Sequence, residues 1–523
     1  MPCITTARWR LSVRTTEPFR HTTIRLPYKT TQPPSPHTHT SSSVSQTNTT
    51  YLTMVATKQL IGLFLCLLGT TVIATTRSPR LSGPEFCNLQ RLTTNQPTYR
   101  FEFEGGSMET YWDVNDEQYQ CTGFAPTRVT IQPNSLLLPS FQPFPRLFFV
   151  EDGEGIIGVQ LPGCPETFDT GVEQQQQARR MGLQGREEAD SHQKVHRVRR
   201  GDVIAIPAGA VHWMYNDANQ ELVAIAADDV NNPANQLDME TGTFYLAGRV
   251  SSQHLQGQQG RKRGPVRRQQ EGGLNKDNIY SGFDTELLAE SFNSDPQIVS
   301  ALQESSDRGL IVKVQQPMEF VTPEEQQEER PLHRRSGGGA SNGVEEKICS
   351  SKIFYNLDNQ READIFSRNA GKLNLVNEHK LPILSYLDLS AEKGHLQQNS
   401  LFSPHWNINS HTMVYVLNGD AQVEVVSNNG ETVLNERVNR GEIFVVPQFF
   451  ATTARAGENG FEWVAFKTNK SPMKSPVAGY TSVFRAMPLE VITNAYGVSP
   501  SQAQNLKTNR ETESMLFSPQ SRF

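Results

Sequence analysis

The stretch from Arg200 to Trp213, RGDVIAIPAGAVHW, has a counterpart in RGEIFVVPQFFATT, which runs from Arg440 to Thr453. Each copy begins with a glycine followed by an acidic residue, and five residues separate that glycine from a proline. This pattern predicts a turn followed by a short β-strand. Because the pattern occurs twice in the same order, we expect the chain to contain the same domain twice.

Two further pairs of segments support this duplication. LFFVEDGEGIIGV (147–159) resembles VYVLNGDAQVEVV (414–426), and both predict an apolar strand, a turn on glycine and a second strand. ELLAESFNSDPQ (286–297) resembles EVITNAYGVSPS (490–501), and both predict a helix, a loop and a second helix. The second helix begins at Asp295-Pro296 or Ser499-Pro500, because Asp or Ser caps a helix and Pro suits its first turn.

The repeats also locate insertions. Gly153 and Gly201 are 48 positions apart, whereas Gly419 and Gly441 are 22 apart, so the first copy carries about 26 extra residues. We predict disordered inserts at about 171–197 and 251–275, because both segments are polar and aperiodic. A third such segment, 315–342, forms a predicted acidic linker.

The amino-terminal region predicts secretion. Residues 54–74 contain one lysine, a short apolar run and small residues at Val72 and Ala74, which is the pattern of a signal peptide cut between Ala74 and Thr75. Residues 1–53 are rich in Thr, Ser, Arg and Pro, so they resemble an organelle transit peptide. We favour an upstream or non-native extension, since an internal signal follows it. No later segment has about 20 apolar residues, so we expect no membrane partner.

Four cysteines remain after the predicted signal is removed: Cys87, Cys121, Cys164 and Cys349. An even number in a secreted chain indicates disulfides, and four cysteines allow three pairings. Cys349 follows SGGGASNGVEEKICS (336–350), a Gly-rich loop that a protease could bind in extended form. A disulfide from Cys349 would hold the two products together, although a free thiol is the alternative.

Charge divides the chain at the same loop. Residues 75–342 contain 25 basic and 36 acidic side chains, a net of −11, and residues 343–523 contain 17 and 18, a net of −1. The whole chain has a formal net charge of −6, which argues against a nucleic-acid partner. The basic run RKRGPVRR (261–268) lies among Gln and Gly without aromatic residues, so it favours a solvated loop.

Residues Gly201, Pro207, Gly209, His212 and Asn216 match the second sequence motif of the cupins, G-x5-P-x-G-x2-H-x3-N. This resemblance implies a mainly β protein with two tandem antiparallel β-barrel (jelly-roll) domains, each followed by a helix-loop-helix extension. Cupin enzymes bind a divalent metal through this His, a His pair and a Glu.

The resemblance does not carry a complete ligand set onto this chain. Pro139 to Gln142 and Arg146 occupy the positions of the first-motif ligands, so Arg146 would place a cation at the metal position. The second copy keeps His405 but has Asn407, Thr412 and Thr452 at the other three positions. His411 lies nearby in sequence without a carboxylate to join it. We therefore expect no metal, no cofactor, no catalytic residue and no enzyme activity.

The segment Asn342 to Cys349, NGVEEKIC, resembles the processing site of the 11S globulins, the legumin-type seed storage proteins. The resemblance covers residues 75–523 and implies cleavage by an asparaginyl endopeptidase between Asn342 and Gly343. It also implies two disulfides, Cys87–Cys121 and Cys164–Cys349, the second of which crosses the cut. The predicted domains are then 75–314 and 343–523.

The same resemblance implies a nutrient reservoir for nitrogen, carbon and sulfur. It implies a trimeric precursor in the endoplasmic reticulum, a hexamer in the protein storage vacuole of seeds, and food allergenicity. The apolar residues of the helices would pack on the neighbouring subunit: Leu287, Leu288, Phe292, Val491, Ile492 and Tyr496. Two alternatives stay open, a metal-dependent cupin enzyme and a small-ligand-binding bicupin, although the sequence displays no aromatic cluster that would favour a ligand pocket.

Overall fold

The computed structural model of the chain describes residues 87, 89–113, 115–164, 168–169, 191–193, 195–237, 242–255, 276–304, 308–318, 346–349, 351–359 and 363–519. The predicted cleavage sites, Ala74–Thr75 and Asn342–Gly343, lie outside the described residues. Most residues of the three segments predicted to be disordered or linkers, 171–197, 251–275 and 315–342, also lie outside the described residues.

The first barrel consists of two antiparallel sheets. Its strands are β1 (Tyr99–Phe103), β2 (Gly106–Thr110), β3 (Phe124–Ile131), β4 (Ser135–Phe141), β5 (Arg146–Asp152), β6 (Glu154–Gln160), β7 (Phe168–Asp169), β8 (Ser191–His192), β9 (Val195–Arg199), β10 (Asp202–Ile206), β11 (Val211–Asn216), β12 (Leu222–Asp229), β13 (Phe244–Tyr245), β14 (Ile311–Lys313) and β15 (Phe354–Asn356). One sheet has the order β1-β2-β3-β12-β5-β10-β15, and the other has the order β13-β4-β11-β6-β9, with β14 beside β4. In the described part of the chain, strands β7 and β8 form a separate two-stranded sheet.

The second barrel is one continuous antiparallel sheet. Its strands are β16 (Ile365–Ser367), β17 (Gly371–Val376), β18 (Ser390–Leu396), β19 (Leu401–Asn407), β20 (Thr412–Val426), β21 (Thr432–Asn439), β22 (Ile443–Val446), β23 (Ala451–Lys467), β24 (Lys474–Pro476) and β25 (Leu516–Phe517). The long strands β20 and β23 pair with each other over most of their length, which joins the two faces of the barrel.

Gly153 and Gly419 lie at equivalent points of the two domains, where the chain passes from one face of the barrel to the other. The sequence predicts turns here, and both glycines have the left-handed backbone, with φ of 81° and 70°. However, β5 pairs with β10 and β12, whereas β6 pairs with β9 and β11, so the chain changes sheets instead of folding into a hairpin. A Cβ at Gly153 would lie 2.2 Å from the carbonyl oxygen of Glu221, so only glycine fits.

The helices are α1 (Glu117–Thr122), α2 (Thr285–Phe292), α3 (Pro296–Gln303), α4 (Glu346–Cys349), α5 (Leu384–Leu387), α6 (Val483–Ala486), α7 (Leu489–Tyr496) and α8 (Pro500–Thr508), with short 3₁₀ turns at Ser252–His254 and Ile279–Gly282. The predicted helix starts are confirmed, because the Asp295 side chain accepts a hydrogen bond from the Gln297 amide and Ser499 forms a capping box with Gln502. None of the helices in the described part of the chain has the length and apolarity that crossing a membrane requires.

One part of the helix prediction is wrong. Leu288 and Ile492 are 7% and 0% exposed, so they are already buried within their own chain and cannot cover a neighbouring subunit. Leu287, Phe292 and Tyr496 are 56%, 53% and 56% exposed, so these three side chains remain available to a neighbouring subunit. Phe292 and Tyr496 lie four residues after Leu288 and Ile492, on the same side of each helix but at its carboxyl end, so position along the helix decides their exposure.

The two barrels exchange segments. Strand β15, which follows residue 342 in the chain, pairs with β10 of the first barrel. In return, Asn95, which precedes the first barrel, exchanges two backbone hydrogen bonds with Ile443 of the second barrel, at 2.8 and 2.9 Å. Each side of the predicted cut therefore contributes backbone to the other side's barrel.

Candidate functional site

The interior of the first barrel contains a buried ion pair beside His212. Arg146 on β5 and Asp228 on β12 are register neighbours, and the guanidinium donates to both carboxylate oxygens, from Nε at 2.5 Å and from Nη2 at 2.7 Å. Arg146 Nη1 lies 3.4 Å from His212 Nε2. Burial and then the Arg146 charge lower the pKa of His212 to about 3, so its imidazole is neutral. A cation therefore occupies the position where a cupin metal would lie.

The other positions of the first-barrel ligand set also lack metal-binding side chains. Ser140 lies opposite His212 in the β4–β11 register, and Gln142 is fully buried. Both amide atoms of Gln142 are without a hydrogen-bond partner among the described residues. A hydroxyl and a guanidinium beside one imidazole do not make the imidazole and carboxylate set that divalent transition metals need.

The second barrel keeps His405, which is 2% exposed and lies opposite Thr452 on β23. Its Nδ1 lies 2.8 Å from the Ser403 carbonyl oxygen, so Nδ1 carries the hydrogen and donates it. Burial and then the Lys474 charge lower the pKa of His405 to about 3. Asn407, Thr412 and Thr452 replace the remaining ligands, as the sequence indicates, and a neutral structural histidine is the result.

Sequence reasoning missed the charged groups that surround His405. Glu392, Lys467 and Lys474 line the same cavity of about 40 Å³. They escaped notice because they lie on β18, β23 and β24, outside both cupin motifs. A lysine directly after the apolar run from Trp463 to Phe466 is the signal that could have indicated a buried charge.

The expectation that no aromatic cluster lines a pocket is also wrong. Phe402, Phe461 and Trp463 all line the cavity in the second barrel. The Trp463 ring centroid lies 5.6 Å from that of Phe402 and 5.0 Å from that of Phe461. Phe402 precedes Phe461 by 59 positions and Trp463 by 61, so only the pairing of β19 with β23 brings Phe402 to the other two rings.

A possible metal group lies outside both barrel interiors. Among the described residues, Cys87, Cys121 and His411 have ligand atoms that all lie within 4.8 Å of one another. Cys87 and Cys121 are joined as a disulfide, so their sulfurs are not thiolates that could bind a metal. Instead of joining His405, His411 accepts a hydrogen bond from the Gln448 amide at 3.2 Å.

The disulfides connect the same cysteines that the family resemblance implies. Cys87 pairs with Cys121, with Cα atoms 4.7 Å apart, and Cys164 pairs with Cys349, with Cα atoms 5.3 Å apart. The second bridge spans 185 residues and joins the chain after β6 to α4. The Gln193 side chain donates to the Cys164 carbonyl oxygen at 3.0 Å, which fixes the loop that carries this bridge.

A buried polar contact also holds the barrels together. Glu151 of the first barrel accepts hydrogen bonds from Arg128 Nε at 3.0 Å and from the Tyr415 hydroxyl of the second barrel at 2.9 Å. The Tyr111 hydroxyl donates to the Gly441 carbonyl oxygen at 3.0 Å. These contacts cross between the segments on either side of residue 342.

Comparison with known proteins agrees with this geometry. The cupin family model matches residues 92–256 and 355–504, one match on each barrel. The 11S globulin seed storage protein 2 of Sesamum indicum is 50% identical over 470 residues, which cover 89% of this chain and 99% of the sesame protein. The chain belongs to the 11S globulins.

This 11S globulin is also similar to solved structures of the family. Coconut allergen cocosin is 36% identical with a TM-score of 0.69, and the match covers 83% of this globulin and 100% of cocosin. The 11S globulin from Wrightia tinctoria, whose structure reveals an auxin binding site, is 32% identical with a TM-score of 0.71. This match covers 85% of the present chain and 100% of the Wrightia chain. The allergen name of the coconut relative is consistent with the allergenicity that the resemblance implies.

Proposed function

We propose that this 11S globulin is a nutrient reservoir of seeds, which is cut between Asn342 and Gly343 into an acidic and a near-neutral chain. The observation that carries the proposal is the Cys164–Cys349 disulfide, which links residues on the two sides of that peptide bond. A disulfide across that peptide bond would keep the two cleavage products covalently joined.

The contacts between the two segments support the same proposal. Strand β15 pairs with β10, and Asn95 pairs with Ile443, so the products of cleavage would share backbone hydrogen bonds in both directions. Glu151 and Tyr415 add a buried side-chain contact. Cleavage can therefore remove the constraint of the linker without separating the barrels.

The storage role follows from what the two barrels contain and what they lack. Arg146 in the first barrel occupies one position of the cupin ligand set, and Asn407, Thr412 and Thr452 occupy three in the second. None of these described residues has the imidazole or carboxylate that the metal of a cupin enzyme needs. The segments at 171–197, 251–275 and 315–342 are rich in Gln and Arg, whose side chains carry extra nitrogen. Nine methionines and four cysteines in residues 75–523 supply sulfur.

The route that goes with this role begins with the predicted signal peptide. In this proposal the precursor assembles in the endoplasmic reticulum, an asparaginyl endopeptidase cuts it in the protein storage vacuole, and the product becomes a hexamer. The experiment that tests the storage role is to measure the amount of this protein through seed maturation and germination. We expect it to accumulate to a major fraction of seed protein and to disappear after germination. A constant low level in all tissues would contradict the proposal.

Self-assembly would use the exposed apolar faces of the helix pairs, which have Leu287, Phe292 and Ile298 in the first and Val491 and Tyr496 in the second. We predict that Phe292→Asp disrupts the trimer, because burying a Phe side chain contributes about 1.5–3 kcal/mol and an unpaired aspartate would oppose burial at each interface. Sedimentation velocity of the uncut protein should give monomers.

The matched control is Phe292→Leu, which keeps an apolar side chain and should keep the trimer. Phe292 is 53% exposed and its ring lies edge-on to that of Tyr280, with ring centroids 6.4 Å apart, so we expect neither change to unfold the chain. A trimer that persists in the Asp variant would show that this helix face is not the interface.

A second prediction concerns the Cys164–Cys349 bridge. In Cys349→Ser, the cleaved protein should still elute as one particle under native conditions, because β15 and Asn95 hold the segments together. In denaturant without reductant, the two chains should separate, whereas those of the wild type should not. The matched control is Cys87→Ser, which removes a bridge within the first segment and should leave the chains linked.

A further inference from the structure

The interiors of the two barrels differ in charge at equivalent positions. Arg146 lies seven residues before Gly153, and Thr412 lies seven residues before Gly419. In the first barrel the register neighbour of Arg146 is Asp228, and in the second barrel the register neighbour of Thr412 is Lys467. The second barrel therefore has a hydroxyl in place of the guanidinium and an ammonium group in place of the carboxylate.

The ammonium group of Lys467 lies in the barrel interior. Lys467 is 1% exposed, and its Nζ donates to the Thr412 hydroxyl at 3.2 Å. The groups that face it from neighbouring strands are Glu392 on β18, His405 on β19 and Lys474 on β24. Glu392 is in direct contact with Lys474, so its carboxylate is already paired with another ammonium group.

The charges that line this cavity do not cancel. Among the described lining residues, two ammonium groups face one carboxylate, and the neutral His405 adds nothing, which leaves a net charge of +1. In the first barrel Arg146 is paired with Asp228, and Lys276, the other charged group among the described residues that line the cavity there, lies outside that pair. A buried charge without a counter-charge is costly, and a protein avoids that cost by losing the proton or by binding an opposite charge.

The space beside Lys467 suits a small ion. The cavity has a volume of about 40 Å³, which holds a few water-sized particles, since one water requires about 10–15 Å³ on this scale. Asn407 also lines it, and its buried Oδ1 has no hydrogen-bond partner in the described part of the chain, so a water accompanying an ion could donate to it.

We propose that the second barrel binds one small monovalent anion of about the size of chloride, beside Lys467. The anion would supply the negative charge that Asp228 supplies in the first barrel. Burial lowers the pKa of Lys467 to about 7, with Glu392 opposing this shift and Lys474 adding to it. Below pH 7 the ammonium form prevails and the anion binds. As the pH rises above 7, the proton is lost and the affinity should fall about tenfold per pH unit.

The direct test is a bromide soak of crystals of the intact protein at pH 5.5, followed by anomalous diffraction. We expect an anomalous peak within contact distance of Lys467 Nζ. The Arg146 guanidinium of the first barrel is the internal control, because it is already paired with Asp228 and should show no peak within contact distance. The absence of a peak beside Lys467, or equal peaks beside Lys467 and Arg146, would overturn the proposal.

A solution measurement separates specific binding from ionic strength. At pH 5.5, sodium chloride at ten times its Kd should raise the midpoint of thermal unfolding by about 2 °C relative to gluconate, which is too large for the cavity, at equal ionic strength. The difference should vanish at pH 9 and in Lys467→Met. It should persist in Lys313→Met, which changes an exposed lysine. A chloride effect that survives at pH 9 or in Lys467→Met would contradict the assignment.

Discussion

Replacing Asn342 with glutamine should leave the protein as a single uncut polypeptide in maturing seeds. An asparaginyl endopeptidase reads the side chain on the amino side of the peptide bond, and one extra methylene moves the amide away from the position that such a pocket contacts. Without the cut, the proposed transition from trimer to hexamer should not occur. Denaturing gels in the presence of reductant, together with sedimentation velocity, measure both outcomes.

The chain contains a matched control for this change. Asn429-Gly430 is one of three other Asn-Gly peptides in the chain, and it is exposed in the turn between β20 and β21. The Asn429 side chain accepts from the Glu431 amide at 3.1 Å and donates to the Glu431 carboxylate at 2.8 Å, so the turn holds it in a bent conformation that an endopeptidase cannot extend. Asn429→Gln should therefore be cut like the wild type. A normal cut in Asn342→Gln would contradict the assigned processing site.

Replacing Asp228 with alanine should destabilise the first barrel by about 3–5 kcal/mol, because it leaves the buried Arg146 guanidinium without its carboxylate. The double variant Arg146→Met with Asp228→Leu removes both charges and should lie much closer to the wild type in stability. Urea unfolding monitored by tryptophan fluorescence and by circular dichroism gives the midpoints.

The control for the ion pair is Asp217→Ala. Asp217 pairs with Arg197 at 2.8 Å on the surface, where the Arg197 side chain is 50% exposed, so its loss should cost at most about 1 kcal/mol. If Asp228→Ala unfolds at the same urea concentration as Asp217→Ala, the buried pair does not stabilise the barrel. A double variant as unstable as Asp228→Ala alone would show that packing, not charge, is the cause.

The parts of the fold that depend on neighbouring residues could be predicted from the sequence. The turn and strand at Gly201 to Pro207 follow from a local pattern, and the helix starts at Asp295 and Ser499 follow from capping. The guanidinium in place of a metal at His212 could also be predicted, because the motif spacing fixes the position of Arg146.

The parts that depend on distant strand pairing could not be predicted. Nothing local indicates that β15 joins the first barrel or that Asn95 pairs with Ile443, since these partners are over 140 residues apart. The charged cavity of the second barrel was missed for the same reason, because Glu392 and Lys467 meet only through the β18–β23 pairing and its neighbours. The cupin motifs locate the positions of the family's metal ligands, but they do not reveal which charged residues on other strands surround those positions.

The most direct test of a two-chain storage globulin is a pair of denaturing gels of protein from mature seeds, with and without reductant, followed by amino-terminal sequencing of the smaller band. At 58.6 kDa for 523 residues, the 181 residues from Gly343 to Phe523 correspond to roughly 20 kDa. We predict one band near 50 kDa without reductant that divides into bands near 30 and 20 kDa with it, the smaller beginning at Gly343. A single band near 50 kDa under both conditions would contradict the account.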